Sequence, residues 1–130
     1  MKRLLILVIL ATFTTLLYAK EYAWCCAVEY TKEHPEWVFV YEDVKLQQDG
    51  NYRVYVKWEF PDDTTKSHAK QTWVISPDFD RMCVIESAGY DSEGKNTYFQ
   101  KYPYGRDWSY IMPDTYAESI VTTAKQILRQ

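Results

Sequence analysis

The chain has 130 residues, of which 47% are hydrophobic and 17% aromatic, and its formal net charge is −3 at pH 7. A chain of this length encloses one modest core, which excludes a two-domain organisation. The mildly acidic balance gives no electrostatic reason to bind nucleic acid or an anionic membrane surface, so we expect no nucleic-acid partner. Five tryptophans and 12 tyrosines favour strands and large packed or contact surfaces.

The amino-terminal segment has the organisation of a secretory signal peptide. A positive start is followed by an apolar run at residues 4–17, and a cleavage site follows after Ala19. The competing interpretation is a membrane anchor, but the run is shorter than the roughly 20 residues that cross a bilayer. We therefore predict residues 1–19 as a signal peptide and residues 20–130 as a single exported domain, located in the periplasm, outside the cell or at its surface.

Lipid anchoring is not expected. The first cysteine, Cys25, follows the bulky Trp24 instead of a small-residue cleavage box. The prediction is therefore a protein with no stable membrane anchor after the signal peptide is removed.

Hydrophobic alternation predicts a β-rich domain. The clearest strand is residues 52–60, where apolar and polar side chains alternate with period two. Turn-forming residues such as Asp49 and Gly50 separate the runs. A short extended piece is expected at residues 108–112. The six predicted strands are residues 23–30, 37–41, 52–60, 70–75, 81–90 and 96–102.

The pattern changes to helical spacing near the carboxyl terminus. Apolar residues recur with helical period from Ala117 to Leu128. Thr115 and Glu118 have capping-box spacing, in which each side chain accepts from the other residue's amide. The predicted fold class is thus α+β, with a single antiparallel sheet of about six strands and one C-terminal helix packed on one face.

Three cysteines remain after the predicted cleavage. Cys25 and Cys26 are neighbours on a predicted strand and point to opposite faces, so only one of them can face Cys83. One interpretation is a disulfide of Cys83 with Cys25 or Cys26, and the other is three small buried hydrophobes. The odd cysteine and an unpaired edge strand are each compatible with a homodimer, and neither requires one.

No arrangement typical of an enzyme is visible. His34 and His68 stand in polar segments and are predicted to be solvated loop residues. Neither zinc-ligand spacing nor a nucleophile elbow occurs, and the acidic pairs at residues 62–63 and 78–80 are better explained as exposed turns than as a calcium loop. We expect a non-enzymatic protein with no metal and no cofactor.

Binding to a partner is the function that remains. The segment from residue 98 to residue 108 interleaves aromatic rings with polar and charged groups, a composition typical of contact hot spots. We predict that it recognises a protein or peptide ligand. The alternative for Tyr98, Tyr102 and Trp108 is that they cover the core beside the helix. The predicted binding residues are Tyr98, Tyr102, Tyr104, Arg106 and Trp108.

A different binding function is also compatible with the sequence. A concave sheet partly covered by the helix would suit a periplasmic domain that binds a small apolar ligand, or an inhibitor-type domain. The composition does not separate aromatic residues in the core from those at a contact surface.

The order and spacing of several segments resemble the surface-adhesin protein E family. The similar segments are residues 71–75, 90–95 and 111–115, with weaker similarity through residues 37–43 and 52–60. The resemblance implies an antiparallel sheet with a C-terminal helix, in an exported or surface protein of a Gram-negative-type cell. It also implies adhesin-like function, since the founding adhesin binds host extracellular-matrix and plasma proteins and dimerises.

The chain departs from that family pattern in two respects. The lipidation cysteine is absent, and so is the usual cysteine pair that links the strand end near Ser76 to the helix end near Leu128. These departures move the expectation from an anchored adhesin to a soluble periplasmic or released protein, and the fold transfers better than the function.

Overall fold

One antiparallel sheet dominates the computed structural model, in which residues 21–104 and 107–130 are described. Six strands form a continuous path in the order β1-β2-β4-β5-β6-β7, while β3 pairs with β4 and β8 with β6. The elements are β1 Trp24–Val28, β2 Trp37–Tyr41, β3 Lys45–Leu46, β4 Tyr52–Glu59, β5 Lys66–Ile75, β6 Arg81–Asp91, β7 Asn96–Lys101, β8 Ser109–Tyr110 and helix α1 Tyr116–Leu128.

The predicted antiparallel sheet with one C-terminal helix is confirmed, but the sheet has eight strands and not about six. Of the two additional strands, each two residues long, β3 was not predicted, whereas β8 lies within the short extended piece expected at residues 108–112. A segment this short cannot show alternation of period two, so only its pairing with a longer neighbour makes it a strand.

Strand β5 corresponds to the predicted strand at residues 70–75 but begins earlier, at Lys66. His68 therefore lies within a strand and not in a loop. Residues 66–69 are mostly polar and carry no alternation signal. They become extended because their neighbours on both sides, β4 and β6, are long enough to pair with them. The imidazole ring of His68 stacks on Tyr90, with 4.5 Å between the ring centroids.

The core lies between the sheet and α1. Alternate residues of β2, β4 and β5 point to this side because successive side chains of a strand face opposite ways. The helix contributes its apolar stripe, and removal of these side chains from water is the main driving force for docking. The central buried residues are Val38, Val40, Val54, Val56, Trp73, Ile75, Ile120, Val121 and Ala124.

The helix begins close to the predicted position. The Thr115 hydroxyl accepts a hydrogen bond from the Glu118 amide at 3.2 Å. In a standard capping box the Glu118 carboxylate would accept a hydrogen bond from the backbone amide of Thr115. Here it accepts from the backbone amide of Asp114 instead, at 3.4 Å. The described residues include no helix that is both long and apolar enough to span a membrane.

A second contact holds the amino-terminal end of α1. The Tyr116 hydroxyl donates to the Glu36 carboxylate at 2.6 Å. Burial, and then the hydrogen bond and charge of Glu36, raise the pKa of Tyr116 to about 12. Because this value lies above the usual pKa of about 10 for an unfolded chain, the folded state keeps a proton that the unfolded chain has lost. The resulting stabilisation is complete below about pH 10 and is lost as the pH rises to about 12.

We predict that Glu36→Gln lowers the pKa of Tyr116, because the substitution removes the carboxylate that disfavours the phenolate. Ultraviolet difference titration against Tyr116→Phe isolates this one phenol from the other tyrosines. The same titration midpoint for Tyr116 in the parent and in Glu36→Gln would contradict the contact.

Candidate functional site

The face of the sheet opposite α1 is rich in aromatic and charged side chains. In β4, Tyr55 and Lys57 alternate with Val54 and Val56 of the core and therefore point away from the helix. The strand register extends this face across the sheet. We call it the aromatic face and define it by Trp24, Phe39, Tyr41, Tyr55, Lys57, Lys70, Thr72, Glu86, Ala88 and Phe99.

A pocket of about 300 Å³ lies on the aromatic face. Its centre is formed by Thr72 of β5 and Ala88 of β6, whose small side chains leave space between the larger neighbours. Trp24 of β1 and Phe99 of β7 line the same pocket, although these strands form the two ends of the six-strand path. The sheet therefore curves around the pocket. Its other lining residues on this face are Tyr41, Tyr55, Lys70 and Glu86.

Ring contacts organise one wall of the pocket. The Trp24 and Tyr41 ring centroids are 5.0 Å apart, and those of Tyr41 and Tyr55 are 6.3 Å apart. Tilted and edge-on contacts at these separations are favourable between aromatic rings. Because the rings support one another across three strands, this wall is largely formed before any ligand enters.

Lys70 lines one end of the pocket, and a second lysine, Lys57, lies beside it but is not among the lining residues. Lys57 of β4 is directly opposite Lys70 of β5 in the ladder, a like-charge arrangement that is locally unfavourable. The Lys57 ammonium lies 4.8 Å from the centroid of Trp24 and pairs with Glu59 at 3.4 Å. The Lys70 ammonium lies 5.8 Å from the Tyr90 centroid.

The adjacent histidine responds to these charges. Burial lowers the pKa of His68, the positive charges of Lys70 and Lys57 lower it further, and Glu59 opposes them. Burial and the two lysines together thus favour the neutral imidazole of His68.

The structure places Tyr98 and Trp108, two of the predicted binding residues, on opposite faces of the sheet. Tyr98 packs against β6 on the helix side, and its hydroxyl lies 3.2 Å from the Ser87 hydroxyl. Gly89 permits this packing, because a Cβ there would lie 2.2 Å from the Tyr98 ring. The Tyr102 hydroxyl donates to Gln100 at 2.5 Å.

Two other predicted contact residues, Tyr104 and Trp108, make separate contacts with the rest of the domain. The Tyr104 hydroxyl donates to the Asp49 carboxylate and accepts from the Asn51 amide at 3.0 Å. Trp108 packs against a small buried cluster formed by Val74, Cys83 and Ile85. This cluster lies on the face of the sheet opposite α1, so Trp108 covers apolar residues there and not the core beside the helix. Arg106 lies outside the described residues, and the binding role of this segment stays a prediction.

The predicted disulfide partners lie on strands that are far apart in the sheet. Cys25 and Cys26 are free thiols on β1, which is separated from β6, the strand of Cys83, by three other strands. Burial, and then Glu42, raise the pKa of Cys25, while burial and Glu29 raise that of Cys26. Both thiols are therefore protonated and weakly nucleophilic at neutral pH. The disulfide of Cys83 stays a prediction.

The sequence interpretation missed the pocket. Its walls come from Trp24, Tyr41, Tyr55 and Phe99, which are distant in the chain. A partial signal was available, because Tyr55 occupies a position of the period-two pattern that points away from the core. Within residues 21–104 and 107–130, no group of three His, Cys, Asp or Glu side chains is arranged to hold a metal ion.

Comparison of the chain with protein-family models, with curated proteins and with solved structures gave no match.

Proposed function

We propose that the protein is an exported, non-enzymatic binding domain that holds a small organic ligand in the pocket of the aromatic face. The observation that carries the proposal is the pocket itself, an apolar concavity of about 300 Å³ with aromatic walls and few polar groups. Small-ligand sites in proteins have this character, and their volumes begin near this value.

The chemistry of the lining supports binding over catalysis. Thr72 and Ser87 are hydroxyl residues among the described lining residues, but neither a histidine nor a cysteine is among them. Histidine and cysteine are the side chains most often used as catalytic base and nucleophile. The groups that are present, which are rings, one lysine and one carboxylate, suit recognition of a ligand.

The predicted signal peptide, residues 1–19, supports a location outside the cytoplasm. Without a lipidation cysteine, we propose a periplasmic or released protein. The resemblance to the surface-adhesin protein E family is compatible with this location and remains an expectation.

A second candidate is an adhesin-like domain that binds a protein or peptide. It is favoured by Phe99, which lines the pocket from β7, the last strand of the path. All six residues of β7 are exposed, and the Phe99 side chain is 56% exposed. An extended peptide could add to this edge by main-chain hydrogen bonds and place a side chain against Phe99.

The proposal is tested by a substitution that fills the pocket with a larger side chain. Ala88 is 9% exposed at the centre of the pocket, and Ala88→Leu adds three carbons there. We expect small aromatic fragments, screened by protein-observed NMR, to perturb the amides of Thr72, Ala88 and Phe99. Filling the pocket should weaken this binding at least about ten-fold, which corresponds to about 1.4 kcal/mol.

The matched control is Thr122→Leu, which adds a leucine on the exposed side of α1 and should leave fragment binding unchanged. If fragments bind Ala88→Leu as well as they bind the parent protein, the pocket is not the site. Peptides that bind the parent and are lost with Ala88→Leu, in the absence of any fragment hit, would favour the second candidate.

A further inference from the structure

Lys70, which lines the pocket, is directly opposite a second lysine, Lys57, in the ladder of β4 and β5. Directly opposite residues of an antiparallel pair have their Cβ atoms about 5 Å apart, so the Lys57 and Lys70 stems are adjacent. Their like charges oppose folding locally. An arrangement that costs stability is expected where the charges have another role.

Only one of these two lysines has an acidic partner among the described residues. Lys57 pairs with Glu59 at 3.4 Å, whereas no carboxylate in this part of the chain lies within ion-pair distance of Lys70. Glu86 also lines the pocket, but it is directly opposite Lys101 in the ladder. Lys70 is therefore a pocket-lining cation without an ion-pair partner within residues 21–104 and 107–130.

The apolar part of the pocket continues from Lys70 along one row of the sheet. Ala88 is directly opposite Lys70, and Phe99 is directly opposite Ala88. Neighbouring strands are about 4.8 Å apart, so the backbone positions of Lys70 and Phe99 are separated by about 10 Å. This row presents a cation at one end, a gap above a small residue in the middle and an aromatic ring at the other end.

We infer that the ligand is an organic anion with a single carboxylate, which Lys70 holds, and an apolar body that lies over Ala88 against Phe99. The inference rests on the proposed function, because it assigns the ligand class of the same pocket. Glu86, on the row that carries Thr72, would repel a second acidic group. A monocarboxylate with a flat or aliphatic body therefore fits better than a dicarboxylate.

Three probes of nearly equal shape test the charge preference. These are 3-phenylpropanoate, the neutral 3-phenylpropanamide and the cationic 3-phenylpropylammonium, titrated into the purified protein by NMR and calorimetry. We expect the carboxylate to bind about ten-fold more tightly than the amide, because hydrogen bonds between charged partners are the stronger ones. The ammonium should bind most weakly.

Substitution of the lysine identifies the group responsible. Lys70→Gln should reduce the affinity for the carboxylate to that for the amide and leave the affinity for the amide unchanged. Lys70→Arg should keep the preference. The control is Lys101→Gln, which removes the same charge from the same face at a residue outside the pocket lining and should keep most of the preference. The melting temperature of Lys70→Gln should equal or exceed that of the parent protein, because one like-charge contact is removed.

The outcomes separate this inference from the proposed function. Equal affinity for the carboxylate and the amide overturns the anion assignment and leaves the pocket as a binding site. Tightest binding of the ammonium overturns it as well and assigns recognition to Glu86. Fragment hits in the pocket without binding of any of the three probes also overturn it, whereas the absence of all fragment hits overturns the proposed function itself.

Discussion

Replacing Ile120 by alanine should lower the free energy of unfolding by about 3 kcal/mol, because large-to-small substitutions at fully buried aliphatic positions cost 2–5 kcal/mol. Ile120 has no exposed surface, and it belongs to the cluster that joins α1 to the sheet. The substitution removes three carbons from this interface and leaves a cavity that the paired strands cannot close. Urea unfolding should show a lower midpoint with an unchanged slope.

The matched control is Thr122→Ala, two residues further along the helix. Thr122 is exposed, so the change should stay within about 0.5 kcal/mol. A loss for Ile120→Ala of the same size as the control would mean that α1 does not dock on the sheet as described.

The effect at Ile120 is expected to be large because packing provides most of the attachment of the helix. The segment from Tyr116 to Leu128 contains no cysteine, so no disulfide joins α1 to the sheet. The additional contacts in the structure are the Thr115 cap and the hydrogen bond of Tyr116 to Glu36. A cap contributes about 1 kcal/mol, which is less than the burial of one large aliphatic side chain.

Gln71→Leu should lower the free energy of unfolding by about 2 kcal/mol, because it leaves two indole groups without their acceptor. The Gln71 side-chain oxygen accepts from Trp58 Nε1 at 3.0 Å and from Trp73 Nε1 at 2.9 Å. Trp73 is only 5% exposed, so water cannot readily replace the lost bond. The amide nitrogen of Gln71 also lies 3.5 Å from the Ser87 hydroxyl.

Urea unfolding of Gln71→Leu beside Gln126→Leu tests this network. Gln126 is an exposed helix residue, and the same chemical change there should alter the free energy of unfolding by less than about 0.5 kcal/mol. Equal effects of the two substitutions would show that the indole groups find other acceptors. In a Trp73→Phe background, Gln71→Leu should lower the free energy of unfolding by less, since only one indole N–H is then left without an acceptor.

These two predictions concern the helix side of the sheet, while the proposed ligand site lies on the opposite face. The core between the sheet and α1 fixes the positions of the strands, and the pocket lies on the opposite face of the same strands. Sites built on strands of a rigid sheet are held more precisely than sites on loops. Within the segment at residues 98–108, for which the sequence predicts a binding role, Tyr104 contacts the turn at Asp49 and Asn51, and Trp108 packs against Val74, Cys83 and Ile85.

The sequence by itself was sufficient for the fold class and for most element positions. Alternation in residues 52–60 and helical spacing from Ala117 to Leu128 report burial directly, because each pattern records which side chains face the core. Local geometry at the helix start was also predictable, since the Thr115 cap involves residues close in the chain. Short strands such as β3, and the polar start of β5 at Lys66, carry no such pattern and depend on their neighbours.

Only the tertiary structure decided where a ligand site could form. The pocket requires Trp24 and Phe99 to approach from strands at the two ends of the path, around the small residues Thr72 and Ala88. Curvature and register of the whole sheet determine that approach, and neither is encoded in any single segment. The pairing of Lys57 with Lys70 has the same origin, because it depends on the register between β4 and β5. The alternation of apolar and polar residues within one strand predicts the face on which a side chain lies. The register between paired strands determines which side chains lie next to it on that face.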